Sequence, residues 1–158
     1  MPGLCLLRSA VMAAALVAGC AAAKADDTTA DKAAIKQLAR ATWERADAPL
    51  GMEPIVVVGD YAIAGWVQGG QGGRALLRKR DGTWEVTLCS GDQLRSATTA
   101  IAAGVPAEVA ARLEQRLREA ESRLTSEYLA KLALFDGILR MDAPAAGHGD
   151  PHKHKHKH

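Results

Sequence analysis

Over residues 54–90 the helical spacing of hydrophobic residues gives way to short β-forming runs, and this feature most strongly limits the folds that the chain can adopt. Four short runs rich in β-branched, aromatic and other apolar residues occur there, separated by residues typical of turns. The runs span residues 55–58, 61–67, 74–78 and 83–89. Gly59-Asp60 and Asp81-Gly82 suit tight hairpins, whereas the glycine-rich segment 69–73 suits a wider loop. We therefore predict an antiparallel β-meander of four strands.

Helical periodicity precedes this predicted sheet. Thr28 or Thr29 is placed to cap a helix, and Pro49 prevents that helix from extending far beyond Asp47. The apolar stripe of this helix follows the i, i+3, i+4, i+7, i+8 spacing and consists of Ile35, Leu38, Ala39, Thr42 and Trp43. We expect the helix to pack this stripe against the sheet.

Helical patterns also follow the predicted sheet. Asp92 is placed to cap a short helix that Gly104 stops, and Pro106 is placed to open a longer one. Ser126 is placed to cap a further helical segment, and residues 138–142 are predicted to be extended. The order of the elements predicts an α+β fold: an N-terminal helix, the meander, and C-terminal helices packed on the sheet. By analogy at the level of the fold alone, such a domain resembles a cystatin or a nuclear-transport-factor cone.

The N-terminal segment has the organisation of an export signal. Arg8 is followed by the apolar run 11–17, which is too short to span a bilayer as a helix. The sequence offers two alternative cleavage sites for this signal. Val-Ala-Gly-Cys20 resembles a bacterial lipoprotein box with Cys20 as the lipidated residue, whereas Ala23-Lys24-Ala25 is an A-x-A-type site for ordinary cleavage. We divide the chain into a signal segment 1–25, a single domain 26–142 and a tail 143–158, and expect the mature protein in the periplasm.

The charge balance argues against a nucleic-acid partner. The chain has 20 basic and 18 acidic residues, and the signal segment contains two of the basic ones and none of the acidic ones. The mature chain is therefore near neutral, without the basic excess of a nucleic-acid-binding protein. The membrane would be reached only through a lipid anchor at Cys20.

After loss of the signal segment, Cys89 is the only thiol of the domain. An internal disulfide is excluded, and a lone thiol in an oxidising compartment is buried, bound to a metal or paired with another chain. Strict strand alternation puts Trp84, Val86 and Leu88 on one face and Cys89 on the other, more polar face. Burial of Cys89 then requires a helix over that face.

All five histidines of the chain lie in its tail. They are His148, His152, His154, His156 and His158, four of them alternating with lysines. Imidazole is a good ligand for copper, zinc and nickel, so the tail is a candidate for metal capture of low selectivity. An engineered expression tag and a solubilising tail are the alternatives; the alternation with lysine favours a native tail.

Soft metal ligands are few in the domain. Cys89, Met52 and Met141 suit Cu(I) if the fold gathers them, and each is otherwise explained by packing. Met141 lies only seven residues before His148, which favours a Met and His pair where the chain leaves the domain.

Features of a catalytic centre are missing from the domain sequence. It has no histidine to act as a general base near neutral pH, no C-x-x-C, no G-x-S-x-G and no phosphate-binding loop. Glu53 or Glu85 inside a concave sheet is the remaining candidate for a catalytic base. We therefore predict a protein that is not an enzyme.

The sequence resembles small exported bacterial proteins labelled copper uptake system-associated. The resemblance covers most of the mature chain, and such proteins commonly end in a histidine-containing tail. It rests on the segments 48–50, 54–66, 72–78, 81–92, 103–106, 134–137 and 140–142. The resemblance implies a periplasmic accessory to copper acquisition, with copper-transport components of the envelope as partners. It implies no particular ligands.

Two hypotheses from different classes follow. In the first, the protein binds copper or passes it on, with the tail histidines collecting the ion and Met141 and Cys89 as secondary ligands. In the second, it is an envelope binding or scaffold module for a non-metal ligand or a protein, and an apolar pocket lined by Trp43, Trp66 and Trp84 would support it.

Overall fold

The part of the chain that the computed structural model describes runs from residue 23 to residue 141, with side chains from residue 28 onward. The lipidation prediction at Cys20 and the metal-capture prediction for the tail histidines lie outside the described residues. Within them, no helix combines the length and the apolar character needed to cross a membrane.

The α+β class is confirmed, with one helix before the sheet and helices after its fourth strand. The elements in chain order are α1 (Ala23–Trp43), β1 (Ile55–Val58), β2 (Tyr61–Gln68), β3 (Gln71–Arg80), β4 (Thr83–Ser90), a 3-10 helix (Asp92–Arg95), α2 (Ala97–Ala102), α3 (Ala107–Glu121), α4 (Ser126–Leu132) and β5 (Ile138–Arg140). The strands form one antiparallel sheet in the order β1-β2-β3-β4-β5. The predicted four strands are thus five among the described residues, because the extended segment after α4 returns to pair with β4.

Two of the three predicted turns are confirmed, and one is wrong. Tight turns join β1 to β2 and β3 to β4, with positive φ at Gly59 and Gly82. The glycine-rich segment is not a wide loop, because β2 and β3 stay paired up to Gln68 and Gln71. The glycines inside β3 have another purpose: a Cβ at Gly73 would lie 2.8 Å from the Cβ of Phe135. They let the segment after α4 pass close to the sheet.

Helix α1 begins earlier and ends earlier than its caps predicted. It starts at Ala23 instead of at Thr28 or Thr29, and it ends at Trp43, four residues before Asp47. The early end has a local cause, since Arg45 and Ala48 bridge across a tight turn directly after the helix. Four members of the predicted stripe pack toward the sheet, with Ile35 and Ala39 buried and the other two partly buried. The prediction is wrong for Thr42, which is exposed and donates its hydroxyl to the Leu38 carbonyl oxygen.

The helix predicted to start at Asp92 is divided in two. A 3-10 helix comes first, and Ser96 then caps α2 by accepting the Thr98 N–H at 3.2 Å. Asp92 makes no cap and instead pairs with Arg74. The helix predicted to be capped by Ser126 is α4, whose cap is the preceding residue, Thr125.

Helices cover both faces of the sheet. On one face α1 packs with a cluster that consists of Leu50, Met52, Ile55, Val57, Ala62, Ala64, Ala75, Leu77 and Trp84. On the other face α2, α3 and the 3-10 helix bury a second cluster that consists of Val56, Val58, Ile63, Leu76, Leu88, Leu94, Ala100, Val105, Ala110, Leu113 and Leu117. The central strands are therefore apolar on both faces, which differs from a cone with a single helix on its sheet.

Partly buried polar contacts hold these layers in place. Asp31 of α1 accepts hydrogen bonds from Lys79 Nζ at 2.7 Å and from the indole N–H of Trp84 at 3.0 Å. On the opposite face, Arg116 of α3 donates to the carbonyl oxygen of Val57 at 2.6 Å. This hydrogen bond provides a partner for a backbone carbonyl of β1, the edge strand of the sheet. Each contact ties a helix to a strand that is distant in sequence.

Among the residues whose side chains are described, the most buried charged one is Arg74 of β3, which is 1% exposed. It donates to Glu121 Oε1 at 2.7 Å, to Asp92 Oδ1 at 3.1 Å and to the Leu132 carbonyl oxygen at 3.2 Å. Glu121 is 3% exposed, and its other oxygen lies 3.1 Å from Arg95 Nε, within ion-pair range but not aligned as a hydrogen bond. Arg74 thereby joins the sheet to the ends of α3 and α4.

Candidate functional site

The corner of the sheet beyond the end of α1 contains an apolar cavity of about 210 Å³. Helix α1 crosses only part of its sheet face, and because it stops at Trp43 the neighbouring corner stays uncovered. The cavity is lined by Trp43, Leu50, Met52, Trp66, Gln68, Ala75, Cys89, Phe135, Leu139 and Met141. Its position therefore follows from the length of α1.

Small residues give the cavity its depth. Cross-strand pairing aligns Ala64 with Ala75, Ala75 with Cys89, and Cys89 with Leu139. Side chains aligned in this way share one face of a sheet. Ala75, the small residue of this row that lines the cavity, keeps its floor low between the side chains of Trp66 and Leu139.

A β-bulge in β4 brings Cys89 to this face. Leu76 pairs with Leu88 and Leu77 pairs with Val86, so Thr87 is an extra residue on the bulged strand. The predicted alternation is therefore wrong beyond Val86. Trp84, Val86 and Cys89 all belong to the α1 face, whereas Leu88 packs on the opposite face.

The bulge residue Thr87 also binds the backbone of Met141, the last described residue of the cavity wall. The carbonyl oxygen of Thr87 accepts the backbone N–H of Met141 at 2.8 Å, and its hydroxyl donates to the Leu76 carbonyl at 3.0 Å. Met141 thus continues the pairing of β5 past Arg140. Because side chains alternate, it lies on the same face as Leu139.

The connection from α1 to β1 forms the opposite wall. Gly51 exchanges two backbone hydrogen bonds with Val67, of 2.8 and 2.9 Å, so residues 50–52 run beside the end of β2. Leu50 and Met52 flank that bridge and both reach the cavity. Gln68 Nε2 donates to the Trp43 carbonyl at 2.9 Å and to the Ala48 carbonyl at 3.0 Å, which fixes the end of α1.

Aromatic and half-exposed side chains complete the cavity. Trp66 and Phe135 meet edge to face, with ring centroids 6.1 Å apart. The indole N–H of Trp66 is buried with no hydrogen-bond partner among the described residues, so this ring is held by apolar contacts. Leu139 and Met141 are 52% and 45% exposed. They form the rim through which a ligand would enter.

All three sulfur ligands proposed from the sequence line this one cavity. Met52, Cys89 and Met141 are also the only methionines and the only cysteine among residues 23–141. The fold therefore gathers every sulfur side chain of its described part at a single site.

Burial determines the chemistry of the thiol. Desolvation raises the pKa of Cys89 from 9.0 to about 11, because an apolar surrounding disfavours the thiolate. Cys89 is free of any disulfide. At neutral pH it is a protonated thiol, which is a poor nucleophile unless a cation stabilises its anion.

Other predicted site residues are placed elsewhere. Trp84 is buried beneath α1 and does not reach the cavity, so two of the three tryptophans proposed for an apolar pocket line it. Glu53 and Glu85 are exposed and do not line it either. Among the described residues, no group of three His, Cys, Asp or Glu side chains is arranged to hold a metal ion.

Sequence reasoning missed Leu50, Phe135 and Leu139 as cavity residues, and it missed the buried Arg74–Glu121 pair. These three cavity residues belong to the segment between α1 and β1 and to the segment after α4. The hydrophobic residues of both segments follow neither a clear helical nor a clear strand periodicity. A usable signal was present for one of them, because Gly72-Gly73 within a strand indicates the close approach of another chain segment. Nothing in the local sequence distinguishes Arg74 from its exposed neighbours.

Comparison with known proteins adds no relative: no protein-family model, no curated protein and no solved structure matches this chain.

Proposed function

We propose that the protein is an exported accessory that binds copper and passes it on to copper-transport components of the cell envelope. One observation carries this proposal. Met52, Cys89 and Met141, which are the soft ligands of the described domain, all line one apolar cavity. Thioether and thiol groups select Cu(I) over the harder divalent ions, so such a grouping is suited to copper.

The position of Met141 connects this cavity with the tail. Met141 stands at the rim, and His148 follows only seven residues later in the sequence. In the proposed function, the tail histidines collect ions from the periplasm, with zinc and nickel as competitors at this stage. The tether then keeps a captured ion at high effective concentration near the cavity.

The first test is a calorimetric titration of the mature protein with Cu(II) and, under anaerobic reducing conditions, with Cu(I). The same titrations are made on a variant that lacks residues 143–158. We expect the complete protein to bind copper and the shortened one to retain part of that binding. Failure of the complete protein to bind either ion contradicts the proposal.

A second candidate function is an envelope binding module for a small apolar molecule. The volume of the cavity favours it, because apolar cavities of about 150 Å³ already accept a ligand of the size of benzene. In this hypothesis the cavity at the corner of the sheet holds the ligand, and the tail has no part in binding.

Fluorescence titration with indole-sized apolar compounds tests the second function. Binding should shift the emission of Trp43 and Trp66, which line the cavity, and Leu50→Ala should weaken it by changing the shape of the wall. A protein that responds to such compounds but not to copper would replace the first proposal with the second.

A further inference from the structure

Gln68 carries the one side-chain amide of the cavity lining. Its Nε2 donates to the carbonyl oxygen of Trp43 at 2.9 Å and to that of Ala48 at 3.0 Å. An amide nitrogen has two N–H groups, so these two contacts use both donors and determine which way round the amide lies. The fold therefore fixes the position of the amide oxygen, Oε1.

The amide oxygen of Gln68 is an acceptor without a donor. Among the described residues, none donates a hydrogen bond to Oε1. The described side-chain atoms that are both buried and without a hydrogen-bond partner are Trp66 Nε1 and Glu121 Oε2, so Gln68 Oε1 keeps an accessible surface. A ligand in the cavity that carries an N–H or O–H group would complete its hydrogen bonding.

The rest of the lining favours a neutral aromatic molecule. It contains no charged side chain, so an ion buried there would lack a compensating charge. Trp43, Trp66 and Phe135 supply aromatic walls, the last two in edge-to-face contact. Met52 and Met141 stand at opposite ends of the lining, and thioether sulfur makes favourable contacts with aromatic rings.

The size of the cavity allows two fused rings. An apolar cavity of about 150 Å³ accepts benzene, and this one has about 210 Å³. Its lining extends across the sheet, from residues 50–52 beside β2, over Ala75 of β3, to Leu139 of β5. Neighbouring strands are about 4.8 Å apart, so the site is longer than a single ring. A flat, elongated molecule matches this form.

From these features we infer that the cavity binds a neutral planar aromatic molecule with a single N–H or O–H donor, and that Gln68 Oε1 accepts the hydrogen bond from this donor. Indoles and phenols are the chemical class that meets these requirements. The inference specifies the ligand of the second candidate function and does not depend on copper binding. Binding is non-covalent, and no group of the protein changes its protonation.

The test compares indole with benzofuran, which has the same shape but an oxygen atom in place of the N–H group. Both compounds are titrated calorimetrically into the mature protein. We expect indole to bind about tenfold more tightly, because only indole donates to the amide oxygen. In NMR spectra, the side-chain amide signals of Gln68 should shift more with indole than with benzofuran.

Gln68→Met has a side chain of similar length without the amide, and it should reduce the ratio of the two affinities to about one. Because this variant also loses the contacts with Trp43 and Ala48, the ratio within each protein is compared and not the absolute affinity. Gln71→Met is the matched control. Gln71 pairs with Gln68 in the same hairpin, is exposed and does not line the cavity, so the tenfold ratio should persist.

The comparison in the wild-type protein needs no variant, so it decides the question even if Gln68→Met is destabilised. Equal affinities for indole and benzofuran, or binding of neither compound, overturns the inference. An unchanged ratio in a folded Gln68→Met protein also overturns it. Preferential indole binding by a protein that binds no copper upholds the inference and contradicts the proposed function, whereas copper binding by a protein that binds neither compound does the reverse.

Discussion

Burial raises the pKa of the Cys89 thiol to about 11, and the cause is desolvation by its apolar neighbours. The protonated thiol is the form that fits this surrounding. Since the pKa in the folded state lies above the unfolded value of 9.0, this burial contributes stability at pH values below 9 and loses it as the pH rises through 11. The folded domain thus keeps its lone thiol protonated at neutral pH.

The reactivity of Cys89 with iodoacetamide should reflect this shift. A rise of two pKa units reduces the thiolate fraction at pH 8 about a hundredfold, so alkylation of the folded protein should be about that much slower than alkylation in urea. The rate should reach half its maximum near pH 11 and not near pH 9. The measurement follows mass gain against a Cys89→Ala blank. Equal rates in the folded and unfolded protein would show that the thiol is not buried.

At the scale of elements, the end of the β2–β3 hairpin is shaped by the segment that follows α4. Gly73 lies under Phe135 of that segment, and Gly72 lies under Lys131 in the last turn of α4, so a Cβ at either position would collide with the chain above it. The crossing places Phe135 over Trp66 and leads the chain into β5. Two elements distant in sequence therefore build the cavity wall together.

Gly73→Ala should destabilise the protein by about 1–3 kcal/mol, because its added methyl group would lie 2.8 Å from the Phe135 Cβ and 3.1 Å from the Ser90 carbonyl oxygen. Gly70→Ala in the same hairpin meets nothing within 4 Å and should change stability by less than about 0.5 kcal/mol. Urea denaturation of both variants measures the difference. Equal stabilities of the two would contradict the close crossing.

At the scale of the whole molecule, a buried ion pair joins the sheet to the C-terminal helices. Arg74 lies in the middle of β3, and its guanidinium contacts the last residue of α3, the first residue of the 3-10 helix and the last residue of α4. Burying such charges is costly, and breaking the pair leaves an uncompensated carboxylate inside the protein.

Arg74→Met should lower the free energy of unfolding by about 3–5 kcal/mol, since Glu121 then lacks its main partner. The double variant Arg74→Met, Glu121→Leu should regain most of that loss, because no charge is left buried. Arg78→Met is the control on the same strand: Arg78 is exposed over the Tyr61 ring, and its loss should cost no more than about 1 kcal/mol. A loss below about 1 kcal/mol in Arg74→Met would show that the pair is not essential to the fold.

Much of this architecture was predictable from local patterns. Strand β1 and the tight turns at Gly59 and Gly82 follow from residue types that act over two to four positions. The buried stripe of α1 follows from helical periodicity in the same way. Local preference and tertiary packing agree at these positions, so the sequence alone determined the element types and the α+β class.

The cavity was decided by tertiary structure. The bulge at Thr87 reverses the side-chain alternation of β4. The residue types around Thr87 do not predict a bulge. It depends on pairing with β3 and β5, which are separate segments of the chain. The sequence identified Met52, Cys89 and Met141 as the soft ligands of the domain; only the folded sheet decided that they share one cavity, because strand register and bulges depend on partners that are distant in sequence.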